Sequence, residues 1–149
     1  MRCQRIVKTA CQFAGASVVG LIIWALIAVS LYYALDALFS SWDEQESDIV
    51  ALYAGVFIGF VVGVPLGAAL GAAIVSKFMK EQYSFRKALY RAIAGMIVGG
   101  FLGVCLILLS NAFGMDWWNQ DIEMKVWPVI PFLLTALAAT EAPARDVAS

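Results

Sequence analysis

A glycine recurs at every fourth position through residues 55–71, as Gly55, Gly59, Gly63, Gly67 and Gly71, inside a stretch with no charge from 49 to 76. Residues four apart share one side of a helix, so this run specifies a rod with a side-chain-free groove along it. In water such a helix is poor, because each glycine costs about 1 kcal/mol against alanine. In lipid it suits its task, since helices there associate by close packing and small residues let backbones approach. On a 3.6-residue helix the groove turns by about 40° per glycine, which by itself favours a steep crossing of about −40°. Pro65 falls between Gly63 and Gly67 and removes the backbone bond to Val61. A broken helix offering carbonyls to a solute is one reading of it. A tolerated kink packed against a neighbour is the simpler one.

A shorter copy follows as Gly95, Gly99 and Gly103, and both copies open with Ala-Gly-x-x-x-Gly-x-x-x-Gly, at Ala54 and at Ala94. The two segments are joined by one loop and so run antiparallel. The expected pairing sets Gly67 and Gly71 against Gly95 and Gly99, with Gly59 and Gly63 facing Gly103. Shared wording on opposed segments resembles an inverted repeat in kind, although the flanking segments carry no matching copy.

Four runs lack charge, at 9–35, 49–76, 92–115 and 126–140. A spanning helix needs about 20 apolar residues, so the first three suffice with length to spare. The fourth has 15 residues and reaches that length only if Lys125 snorkels and the helix passes Glu141. Charged residues make up 14% of the 149, against about 25% in a soluble domain, which leaves too few to cover a water-facing surface. The predicted fold is all-α: one integral membrane four-helix bundle with a glycine-zipper central hairpin. Its spans are about 13–35, 49–76, 92–113 and 125–142. The outer loops are 36–48 and 114–124, and the inner loop is 77–91.

Eight of the ten basic residues lie in the lead-in (Arg2, Arg5, Lys8) or the inner loop (Lys77, Lys80, Arg86, Lys87, Arg91). The positive-inside rule then sets both termini in the cytoplasm, and the host membrane is read as a bacterial inner (plasma) membrane. The five inner-loop cations suit anionic lipid headgroups. Nucleic acid is not an expected partner, because no recognised module accompanies the charge. Trp42, Trp117, Trp118 and Trp127 fall at the outer boundary, as an interfacial belt would have them. The 27-residue apolar run after the basic start exceeds the roughly 7–15 of a signal core, so it is kept as a span. Cys3, Cys11 and Cys105 fit no disulfide framework and read as reduced thiols, with acylation of the first two the alternative.

Reactive chemistry is sparse. The chain has no histidine, no Cys-x-x-Cys and no Walker loop, so no enzyme, metal or cofactor is expected. Asp36 closes the first run and reads as a solvated boundary carboxylate, while Asn111 near the end of the third reads as interhelical glue. The leading function is a membrane interaction or accessory protein that packs through its glycines with itself or with a larger complex. The alternative is a small oligomeric channel or transporter, with Asp36, Pro65 and Asn111 lining a path.

Overall fold

The computed structural model describes residues 2–39, 44–80, 83–112 and 128–140, and these form four α-helices. They are α1 (Arg2–Phe39), α2 (Glu44–Phe78), α3 (Phe85–Ala112) and α4 (Val129–Thr140). Three contain segments long and apolar enough to cross a membrane: Ile6–Leu38, Ile49–Phe78 and Phe85–Ser110. At 1.5 Å per residue these are about 50, 45 and 39 Å long, beyond a hydrocarbon core of roughly 30 Å. The 12 described residues of α4 reach only about 18 Å. The remainder of the expected fourth span, 125–127 and 141–142, lies outside the described residues, as does the outer loop at 114–124.

The helices run past the expected boundaries at most ends. The lead-in is helical from Arg2, and α2 begins within the acidic stretch, at Glu44. The inner loop shrinks because residues 85–91 form the opening turns of α3. Pro131 falls at the third position of α4, among the first four residues whose N–H groups have no helical partner, so its missing donor breaks no bond.

After α2 the chain turns at Lys80, whose φ of 55° lies in the left-handed region. This conformation costs a side-chain-bearing residue roughly 1–2 kcal/mol. It is a helix-end position that glycine usually fills. Lys80→Gly is therefore expected to raise stability by about 0.5–1 kcal/mol in detergent unfolding, the rest being offset by glycine's extra chain entropy.

Burial is inverted relative to a water-soluble bundle. One core cluster consists of Ala16, Ala68, Ala72, Ala92, Ala136 and Ala139, with Phe13 and Tyr83 against it. A second joins Phe60, Val64 and Met96 with Trp24 and Phe132, and a third pairs Ala69 with Ala88. The large residues look outward: Phe101 is 70% exposed, Ile97 67%, Leu108 63% and Leu26 60%. Water would drive those side chains in, whereas lipid leaves the interior to whatever packs closest. The apolar helices and this burial pattern are compatible with a membrane protein.

Helices consecutive in the chain pack antiparallel, while α2 and α4 run parallel, as the residue levels show. Val64 lies at the level of Phe132, and Ala68 and Ala72 at that of Ala136 and Ala139. Gly55 lies at Tyr32 and Gly71 at Gly15 across α1 and α2. Ala69 meets Ala88 and Val64 meets Met96 across α2 and α3. Gly95 lies at Leu134 and Gly99 at Pro131 across α3 and α4. The beginnings of α1 and α3 and the ends of α2 and α4 thus share one end of the bundle.

Candidate functional site

The features with a definite architecture are the two glycine grooves, and neither meets the other. The groove of α2 is filled by α1. A methyl group on Gly67 would stand 2.7 Å from Gly20 Cα and from Val19 O. On Gly63 it would stand 2.8 Å from Trp24 Cα, on Gly59 2.9 Å from Ala28 N, and on Gly55 2.9 Å from Ala28 O. Gly71 abuts Gly15 O and Ala16 Cα. The groove of α3 is filled by α4: a methyl group on Gly95 would stand 2.7 Å from Leu134 O and 3.0 Å from Ala138 Cβ, and one on Gly99 would run into Pro131. Gly103 is buried one turn further along. The expected meeting of Gly67 and Gly71 with Gly95 and Gly99 is thus replaced by two separate seams.

The physical reason lies in α1. Ala16, Gly20, Trp24, Ala28 and Tyr32 are also four apart, so α1 matches the α2 groove level for level. Two helices whose contacts repeat every four residues, longer than 3.6, stay together by coiling right-handed about each other. Contact from Gly55 to Gly71 covers about 24 Å, so a steep single-point crossing does not describe this pair. Trp24 fits the seam because only its backbone faces Gly63. Its ring turns aside onto Phe60, edge-on at 6.0 Å and 88°, and Nε1–H donates to Val56 O at 3.2 Å.

Two polar contacts, absent from the sequence-based expectations, tie the shared end together. Gln12 Nε2 donates to Ser76 Oγ at 2.8 Å, and both residues are buried between α1 and α2. Tyr83 Oη donates to Ala139 O at 2.8 Å, capping a carbonyl in the last turn of α4 that has no helical donor. Burial pushes the Tyr83 phenol from 10.0 to about 12, against the opposing pull of the Arg91 charge. The raised value means the fold favours the neutral phenol. Its contribution to stability is complete below pH 10 and is lost as pH rises toward 12. Tyr83→Phe is expected to cost about 1 kcal/mol at neutral pH and to remove this part of the alkaline loss, measured by thermal melts in detergent.

The three residues considered for a path are not gathered. Asp36 is half-buried near the end of α1, and Asn111 lies in the last turn of α3, its side chain outside the described residues. Pro65 is buried at the level of Gly20 to Trp24, at least 12 residues or about 18 Å along α1 from Asp36. The inner-loop cations Lys77, Lys80, Arg86, Lys87 and Arg91 are all exposed at the end opposite Asp36. Cys11 is exposed and Cys105 half-buried, both as free thiols. The outer tryptophans Trp42, Trp117, Trp118 and Trp127 lie outside the described residues.

No protein-family model, curated protein or solved structure matches this chain.

Proposed function

We propose that this chain is an integral membrane interaction or accessory protein, not an enzyme, with both termini in the cytoplasm of a bacterial inner membrane. The observation that carries the reading is the inverted burial: the interior is mostly glycine and alanine, while most Ile, Leu, Val and Phe side chains lie outside. A bundle that fills its glycine zippers internally offers a partner its broad outer flanks, chiefly those of α1 and α3. Self-association or entry into a larger complex would use those flanks. The lack of reactive chemistry in the sequence supports an assembly role over catalysis, and the separation of Pro65 from Asp36 weighs against a conducting path.

The test places a photo-reactive amino acid at Leu26 or Phe101 and illuminates native membranes. A discrete protein adduct, of this chain with itself or with a second chain, is the expected result. Adducts with lipid alone at both positions, or solute flux through liposomes holding only this chain, would overturn the proposal. Orientation is read separately: Lys80→Cys should react with an impermeant maleimide only after the cells are opened.

A further inference from the structure

We propose that the face formed by Lys77, Lys80, Arg86, Lys87 and Arg91 binds the phosphate headgroup of an anionic phospholipid. The inference rests on the membrane reading above and adds a ligand class to it. All five side chains are exposed around one turn between α2 and α3. Residues 77–91 hold these five cations and one acid, Glu81, for a net charge of +4. Asp36, the only carboxylate whose side chain is described, belongs to the other end of the bundle. The charge on this face therefore has no balancing carboxylate among the described residues.

Two further observations select a lipid over a small soluble anion. Phe78 is 84% exposed and Tyr90 60% exposed among the cations, so the face is amphipathic. Rings and cations side by side suit the depth where acyl chains give way to phosphate. Arg86 is also held in place, its guanidinium carbon 5.9 Å from the centre of the Tyr90 ring, which presents a planar donor fork suited to phosphate oxygens. Arg86 and Lys87 stand in the first turn of α3, which contains no acid. A cation there opposes the helix dipole, and an external anion relieves that opposition.

The full chain in a neutral detergent is titrated with phosphatidylglycerol, phosphatidylcholine or inorganic phosphate, following the melting temperature and counting retained lipids by native mass spectrometry. Phosphatidylglycerol should be retained about tenfold over phosphatidylcholine and should raise the melting temperature, while phosphate alone does neither. Combined Lys77→Gln, Lys80→Gln, Arg86→Gln and Lys87→Gln should bring the preference to within about twofold. The single substitutions, all at exposed positions, should each lower it stepwise, so a folding defect in the combined variant leaves the question decidable. Equal retention of the two lipids, a full shift with phosphate alone, or an undiminished preference in these variants would overturn the assignment. A chain that stays monodisperse after detergent removal would instead refute the membrane reading itself.

Discussion

Leucine at position 67 is expected to part α1 from α2. The first atom added to Gly67 already meets Gly20 Cα and Val19 O at 2.7 Å, and both belong to backbone that cannot swing away. Overpacking a core costs about 1–3 kcal/mol when side chains can shift, and more where only a rigid rod can move. Gly67→Leu should therefore lose about 3 kcal/mol or more in detergent unfolding, and a disulfide engineered between Gln12→Cys and Ser76→Cys should no longer close. Gly100→Leu supplies the control, since nothing lies within 4 Å of a methyl group there. That substitution should change stability by less than about 0.5 kcal/mol, as surface changes usually do. If Gly67→Leu and Gly100→Leu behave alike, the close backbone seam is not what holds this pair.

The second large effect is expected at Gly99, with a different outcome. Its added methyl would run into Pro131, a ring locked into the first turn of α4. Gly99→Leu should release the short helix from α3 while leaving the α1–α2 pair closed. Thr135, Ala136 and Ala139 are buried in the docked helix, the two alanines in one cluster with Ala16, Ala68, Ala72 and Ala92. A cysteine at Ala136 should therefore label slowly in the parent and at least about tenfold faster with Gly99→Leu, one decade in rate corresponding to about 1.4 kcal/mol of opening. The Gln12–Ser76 crosslink should form normally in the same protein. Its loss there would mean that the two seams are one cooperative unit.

Much of this architecture could be read from the residues, and the part that could not has a definable cause. The three long helices follow from uncharged runs that lipid-scale length alone interprets. Likeness of wording pairs the two glycine runs with each other, whereas in the structure α1 lies against Gly55–Gly71 and α4 against Gly95 and Gly99. A groove is best filled by a small-residue ridge, which α1 supplies with Ala16, Gly20 and Ala28. That four-residue series was present in the sequence, hidden by Trp24 in its middle. Only the direction taken by the indole, onto Phe60 and Val56, makes Trp24 compatible with a seam. The Gln12–Ser76 and Tyr83–Ala139 contacts were out of reach for a different reason. They join residues 64 and 56 positions apart, and no local pattern marks such pairs.

The alanine-lined centre has a thermodynamic consequence. Glycine and alanine have no rotamers to freeze, so bringing these rods together sacrifices almost no side-chain freedom. When the rods part within lipid, the surfaces they uncover meet acyl chains, and the hydration that gives ordinary unfolding its heat capacity is largely missing. Stability should consequently vary almost linearly with temperature, without the cold-side downturn that water imposes on soluble domains.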